Sequence, residues 1–354
     1  MLRDLRQKLD LRTASGDPEA PFIIAEMSGN HNGSLDQALA IVDAAAEAGA
    51  DAIKLQTYTA DTMTLDIAEG EFVIADPQSL WAGRNLYGLY QEAMTPWEWH
   101  APIMERARER GISCFSSAFD ESAVAFLESL DVPAYKVASF ECIDIPLIRA
   151  VAATGKPVII STGMATVEEI AEAVDAARGA GCTDLTLLLC TSNYPAPPKY
   201  SNLVKIPHLA GLFGCPVGLS DHTLGIGVAI AAVALGAVAV EKHVTISRAD
   251  GGVDSAFSAE PAELAALVLE SGRARQALGE VTYGPTAVEQ KARGRRRSLY
   301  IGKDLAAGDV LTAESLRRVR PGRGLPPKYY DVFLGRRVAR AVTAGTPVTW
   351  DLLA

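Results

Sequence analysis

The sequence predicts an α/β chain: a (β/α)8 TIM barrel followed by a small β-rich domain. Three observations carry this expectation. Short apolar runs alternate with amphipathic helical stretches eight times between residue 21 and about residue 280. Almost every apolar run ends in a polar or charged residue. After Gly279 the alternation stops, and short strand-and-turn patterns replace it.

The elements follow in order. The first strand is expected over 22–28 (FIIAEMS), with a helix over 35–48 that stops at Gly49. The second strand is 52–57 (AIKLQT), and a helix over 96–110 ends at Gly111. The third is 112–117 with a helix over 121–130, and the fourth is 134–139 with a helix over 146–153. The fifth is 157–162 with a helix over 167–178, and the sixth is 185–191 with a helix near 203–212. The seventh is 217–220 with an Ala-rich helix over 227–235, and the eighth is 238–245, closed by a helix over 261–278. Eight such units in about 260 residues match a closed barrel. An open doubly wound sheet is the structural alternative, but no GxGxxG follows the first strand, which argues against a dinucleotide fold.

The expected organisation is a catalytic barrel over 1–280, a linker over 281–297 and a β-rich domain over 298–354. The run KARGRRR at 291–297 reads as a solvated linker. A domain of fewer than about 60 residues is expected to lean on another surface for stability.

Composition bounds the function. The chain has 354 residues, 49% hydrophobic and 21% charged, enough for a large core. A formal net charge of −10 disfavours nonspecific binding to nucleic acid or to an anionic membrane, though a locally basic pocket for an anion remains open. The five cysteines are odd in number and form no CxxC, so buried reduced thiols and a cytoplasmic location are expected. The N-terminal MLRDLRQKLD lacks the apolar core of a leader, and the longest apolar run, 226–240, is too short for a membrane span.

In a (β/α)8 barrel, chemistry sits at the C-terminal strand ends. Here those ends carry Glu26; Lys54 and Gln56; Ser116 and Ser117; Lys136 and Ser139; Ser161 and Thr162; Thr191 and Ser192; Ser220, Asp221 and His222; and Glu241, Lys242 and His243. A strand Lys can snorkel and a Ser can cap a helix. Eight polar ends at one level are harder to explain that way, because buried charge is costly unless paired. Lys54, Lys136 and the hydroxyls of Ser139, Ser161, Thr162 and Ser220 suit a phosphate and a carboxylate. His222 and His243 end neighbouring strands, about 5 Å apart, a spacing at which two imidazoles share one divalent ion. Glu26 among these cations suits general acid–base work. The competing mechanism is a Schiff-base aldolase, with Lys136 or Lys242 as the reactive amine.

These residues resemble the N-acetylneuraminate (sialic acid) synthase family along nearly the whole chain. The matching segments are IAEMSGNHNG at 24–33, KLQT at 54–57, STGM at 161–164, GLSDH at 218–222 and EKH at 241–243. The tail resembles the SAF, or antifreeze-like, domain of these enzymes, marked by RPG at 320–322. CTSNYPAP at 190–197, GGVDSAFS at 251–258 and TPWEW at 95–99 look like the pseudaminic acid branch of the family. The resemblance implies that phosphoenolpyruvate condenses with an open-chain N-acetylated amino sugar, with Mn2+ or Mg2+ polarising the aldehyde. It implies His222 and His243 as metal ligands. It assigns Lys54, Lys136, Ser139, Ser161, Thr162, Ser192 and Ser220 to phosphoenolpyruvate, and Glu26 to proton transfer. Gln56, Ser117, Tyr194, Glu241 and Asp254 would lie near the sugar or the reacting centre. It further implies a domain-swapped homodimer in which Arg320 reaches the partner's site.

Overall fold

The computed structural model describes residues 20–354. The N-terminal segment read as lacking an apolar leader lies outside these residues. Residues 20–279 form one compact unit and Glu280–Ala354 a second.

In the first unit, β1 (Phe22–Glu26), β2 (Ala52–Thr57), β3 (Ser113–Ala118), β4 (Tyr135–Val137), β5 (Val158–Ser161), β6 (Leu185–Cys190), β7 (Val217–Asp221) and β8 (Ala239–His243) close into a parallel barrel in sequence order. Helices α1 (Leu35–Glu47), α4 (His100–Arg110), α5 (Glu121–Ser129), α6 (Ile145–Ala153), α7 (Val167–Gly179), α8 (Lys205–Phe213), α9 (Gly227–Ala234) and α10 (Pro261–Leu278) follow the strands. Two further helices, α2 (Ala60–Met63) and α3 (Leu86–Ala93), belong to an insertion between β2 and α4 that periodicity did not assign. Side-chain caps start several helices: Ser34 accepts from Gln37 N–H, Asp144 from Leu147 N–H, and Thr166 forms a reciprocal box with Glu169.

Several expected boundaries moved. β1 stops at Glu26, because the chain turns into a 3-10 segment, Ser28–His31, with Ser28 at φ +49. β4 ends at Val137, because Ser139 is already helical and opens the turn Phe140–Ile143. The helix expected from residue 96 begins with a 3-10 turn, Trp97–Trp99, before α4.

The barrel interior is layered. Phe22, Ile24, Ala52, Phe115, Ala134, Ile159, Leu188 and Ala239 form an apolar cluster separate from the one under the helices. Strand side chains alternate between faces. Two residues further on, the inward positions are therefore Glu26, Lys54, Ser117, Lys136, Ser161, Cys190 and Glu241, joined by Ser220 from β7 above Gly218. An apolar plug thus underlies a polar floor, and the change from one to the other is written in each strand. Gly218 allows the walls to close: a Cβ there would lie 2.5 Å from the Ala239 carbonyl oxygen and 2.7 Å from Leu188 Cδ2.

In the second unit, β9 (Ser298–Ile301) pairs antiparallel with β10 (Leu316–Val319), and single bridges such as Leu305 with Val342 add to it. Leu299, Ile301, Leu316, Phe333, Val338, Val348 and Leu352 give it a core of its own. The basic run is exposed, and part of it forms the short helix α11 (Gln290–Arg293). No helix among the described residues is long and apolar enough to cross a membrane.

Candidate active site

The polar floor is an interlocked set of charges. Lys54 Nζ lies 2.5 Å from Glu26 Oε2 and 3.5 Å from Glu241 Oε1, and it donates to Ser117 Oγ at 2.9 Å. Glu26 Oε1 accepts from the Ser28 N–H and from Gln56 Nε2, both at 3.1 Å. Ser220 Oγ donates to Glu241 Oε1 at 3.1 Å. The register makes this possible: Glu26 sits beside Lys54 on β2 and His243 on β8, and Ser220 sits beside Glu241.

The two carboxylates are driven apart. Burial is the largest influence on Glu26 and raises it to about 7; Lys54 pulls back, and the charge of Glu241 pushes up again. For Glu241, burial is outweighed by the attraction of Lys136, Lys54 and His222, and its carboxyl falls below the ordinary range. A neutral-range acid beside a fixed carboxylate is the usual division between a proton carrier and a charge partner. Lys54 is desolvated, yet Glu241 and Glu26 together hold its ammonium above its ordinary range.

Lys136 differs. It is fully buried, and among the described residues its Nζ donates only to the Val137 carbonyl (3.0 Å). Burial lowers its pKa, and Lys54 adds to the effect. Ser139 Oγ meets Ser192 Oγ at 2.8 Å, and Ser161 Oγ has no partner among the described residues. Gly163 brings its loop close: at φ +46, its Cβ would stand 2.5 Å from Ser139 Cβ and 2.8 Å from Ser192 Oγ. An under-coordinated ammonium at the same strand ends as these hydroxyls has the donors that an anion would need. Thr162 fits this less well, because its N–H and hydroxyl both donate to the Leu188 carbonyl, at 2.9 and 3.3 Å.

His222 and His243 stand at the rim with ring centroids 5.3 Å apart. His222 Nδ1–H points at the Thr191 carbonyl, 3.0 Å away. Burial lowers the pKa of His222, but Cys190 and this carbonyl outweigh it and raise the group above its ordinary value. Only in the neutral Nδ1–H tautomer does Nε2 keep a lone pair for a metal. His243 Nδ1 is buried without a hydrogen-bond partner among the described residues, 3.6 Å from Asp254 Oδ2. Burial and then the His222 charge push His243 well below its ordinary value, which keeps it neutral. Asp254 accepts from Ser28 Oγ, and burial raises its carboxyl. Two imidazoles bound to one ion at about 2.1 Å place their rings roughly 5 Å apart, so the pair fits one shared cation. No cluster of three metal-ligating side chains occurs among the described residues.

Lys242 does not belong to the pocket. On β8 it alternates with Glu241 and His243, and so faces outward. Its Nζ is held by Asp221 Oδ2 (2.8 Å) and the Thr223 carbonyl (2.7 Å). This removes it as a candidate Schiff-base amine. Asp221 likewise faces outward and ties down the turn after β7 through the Thr223 N–H and hydroxyl. Ser116 is structural as well: its Oγ meets Thr57 Oγ1 at 2.6 Å, beside buried His100.

Above the floor is a cavity of about 350 Å³. Gln56, Ser139, Tyr194, His243 and Asp254 line it from the strand ends, and Tyr58, Met63, Ile74, Trp81, Leu86 and Tyr90 line it from β2 and the insertion. Tyr194 packs on His222 with ring centroids 4.5 Å apart. Sequence reasoning missed Glu141, which lines the cavity, has an unpartnered Oε2 among the described residues and is raised by burial. It also missed Cys190, whose Sγ lies 3.8 Å from His222 Nδ1. The alternation Leu188, Cys190 would have found the second; the first depends on a turn with no periodic signal. Arg320 belongs to the second unit, directly after β10.

A parallel barrel with buried, split carboxylates and an under-coordinated lysine at its strand ends is an enzyme's site. The chain belongs to the NeuB family, which residues 41–283 match, and residues 296–354 match the SAF domain. It is 43% identical to a pseudaminic acid synthase of Campylobacter jejuni over 92% of this chain and 94% of that protein. It is 42% identical to one of Helicobacter pylori, over 94% and 98% respectively. A crystal structure of an N-acetylneuraminic acid synthetase from Leptospira borgpetersenii, in complex with citrate, aligns with a TM-score of 0.69 at 35% identity, covering 77% of this chain and 90% of that one.

Proposed function

We propose that the protein is a pseudaminic acid synthase, condensing phosphoenolpyruvate, 2,4-diacetamido-2,4,6-trideoxy-L-altrose and water to pseudaminic acid and phosphate. The observation that carries this reading is the identity of 42–43% with pseudaminic acid synthases over more than nine-tenths of the chain. The site's chemistry supports it. Carbon 3 of phosphoenolpyruvate bonds to the sugar's aldehyde carbon, water adds its oxygen to carbon 2, and the C–O bond to phosphate breaks.

Lys136, with Ser139, Ser161, Ser192 and Ser220, receives the phosphate and carboxylate of phosphoenolpyruvate, and Lys54 adds positive charge from its pair with Glu26. Thr162 supports the strand end. Glu26, close to half-protonated at neutral pH, moves protons. Glu241 stays ionised and orients Lys54 and Ser220. Gln56, Ser117, Tyr194 and Asp254 lie on the sugar's side. His222 and His243 would hold a divalent ion, Mn2+ or Mg2+, whose contribution is Lewis-acid polarisation of the aldehyde oxygen.

The active form is a homodimer whose SAF domain swaps and brings Arg320 to the partner's site. Exposed apolar side chains on the loops after the barrel strands, Phe140, Ile143, Met164, Tyr200, Val204 and Leu224, support a covering surface there. A monomeric mass by light scattering would remove this assembly. Five free, buried thiols support a reducing compartment such as the cytoplasm.

Phosphate release from phosphoenolpyruvate, measured with a panel of N-acetylated amino sugars, tests the function. The 2,4-diacetamido-2,4,6-trideoxy sugar is expected to be fastest, with activity lost to a chelator and restored by Mn2+ or Mg2+. Preference for N-acetylmannosamine or for the legionaminic precursor would move the chain to another branch of the family. Release from none of them with metal present would overturn the reading. A lysine trapped by borohydride with pyruvate would instead favour the aldolase alternative.

A further inference from the structure

The cavity above the catalytic floor is lined by two unlike sets of side chains. From the strand ends and the loop after β8 come the polar Gln56, His243 and Asp254. The insertion between β2 and α4 supplies a mostly apolar wall, Met63, Ile74, Leu86, Leu89 and Ala93, with Ser79, Trp81 and Tyr90 among them. Ile74 and Leu86 offer no hydrogen bond, and Met63 only the weak acceptor of its thioether sulfur.

This wall is built rather than loose. Ile74 lies in a two-stranded ribbon: its N–H donates to the Arg84 carbonyl at 2.9 Å, and its carbonyl accepts from the Gly83 N–H at 2.8 Å. Next to it, Val73 and Asn85 form an antiparallel bridge. Asn85 also caps α3, accepting from the Gly88 N–H at 2.6 Å, and so joins the ribbon to the helix that starts with Leu86. The ribbon's tip is fastened across the cavity. Trp81 Nε1–H donates to the Val253 carbonyl at 2.8 Å, and its ring packs on Tyr194 at 5.8 Å between centroids. One tryptophan therefore links the insertion, the loop after β8 and the loop after β6.

We propose that Ile74, flanked by Met63 and Leu86, is a specificity-determining subsite that takes the deoxygenated far end of the sugar, and that Trp81 is the positioning residue that holds this wall. The inference rests on the amino-sugar condensation proposed above and assigns residues to its selectivity. The aldehyde end must reach the rim histidines, so the sugar's far carbons extend toward the insertion. A methyl group there buries against apolar carbon. A hydroxyl there loses its water and finds no partner on Ile74 or Leu86 and only the weak sulfur acceptor of Met63. Apolar pockets reject an added hydroxyl only moderately, by up to roughly a hundredfold.

The test compares kcat/KM for the 2,4-diacetamido-2,4,6-trideoxy sugar with its 6-hydroxy counterpart, in the full-length enzyme with Mn2+. The wild type should favour the deoxy sugar by roughly ten- to a hundredfold. Ile74→Thr should lower that preference about tenfold by supplying a hydroxyl partner, whereas Ile74→Val should keep it. Trp81→Phe, which retains a ring but loses the N–H, should raise KM for the sugar and leave KM for phosphoenolpyruvate unchanged, because the anion receptor stands on the strands. Thermal melts of each variant identify those that fail to fold. A folded Ile74→Thr enzyme with the wild-type preference overturns the subsite. So does a wild type that uses both sugars equally, and in that case the condensation itself stands. A wild type that releases no phosphate with either sugar removes both.

Discussion

Replacing Glu26 with Gln bears most directly on the acid–base chemistry. The carboxyl is fully buried, and burial, opposed by Lys54 and assisted by Glu241, holds it at about 7 against an ordinary 4.5. The amide keeps the size and removes the proton. A positioned acid or base typically contributes about a hundred- to ten-thousandfold, so kcat for phosphate release should fall within that range. KM for phosphoenolpyruvate should move little, because Lys136 is untouched and Lys54 keeps Glu241 at 3.5 Å. The wild-type rate should inflect near pH 7, and the variant's rate should not. Stability gives a second readout. Below pH 4.5 the group is protonated in both folded and unfolded chains. Between 4.5 and about 7 only the unfolded chain ionises, so stability falls as pH rises across that window. The gap corresponds to roughly 3 kcal/mol from this one group, and Gln abolishes that slope. The assays are phosphate release from pH 5.5 to 9 and urea unfolding at pH 5 and 8. A variant with the wild-type kcat, or one that loses activity while an inflection near pH 7 persists, refutes the assignment.

Two further outcomes concern the scaffold. Asp221→Asn leaves the buried Lys242 ammonium without its carboxylate, 2.8 Å away in the wild type, and should cost about 3–5 kcal/mol in urea unfolding. An unchanged midpoint would mean that the pair does not hold the turn beside His222. Gly218→Ala forces a methyl against the Ala239 carbonyl and Leu188, and overpacking of this kind costs about 1–3 kcal/mol. A thermal melt equal to wild type would show that the barrel wall yields there at no cost.

Much of the site was legible because barrel strands are local and periodic. The run Phe22, Ile24, Glu26 and its counterparts Ala52, Lys54, Gln56 and Ala239, Glu241, His243 carry their own change from apolar to polar. Lys242 shows where residue type alone misleads. A lysine at a strand end reads as reactive, but its place between two inward residues turns it outward onto Asp221. Thr162 is similar: its hydroxyl is engaged by a neighbouring strand's carbonyl that no local pattern announces. The insertion was the largest omission. Its ribbon is held by isolated contacts such as Ile74 with Arg84 and Trp81 with Val253, and these leave no period in the sequence.

The sequence by itself determined the eight-unit barrel and the polar character of its strand ends, because these follow from a two-residue strand period and a 3.6-residue helix period. The second, β-rich unit was legible from the change of pattern after Gly279. Only the tertiary structure decided how the strands align around the barrel. That register puts Glu26 beside Lys54 and His243 at one level, and unequal shares of the neighbouring positive charge there split two equally buried carboxylates of similar intrinsic acidity. Register and desolvation arise between segments far apart in the chain, and neither can be read within one of them.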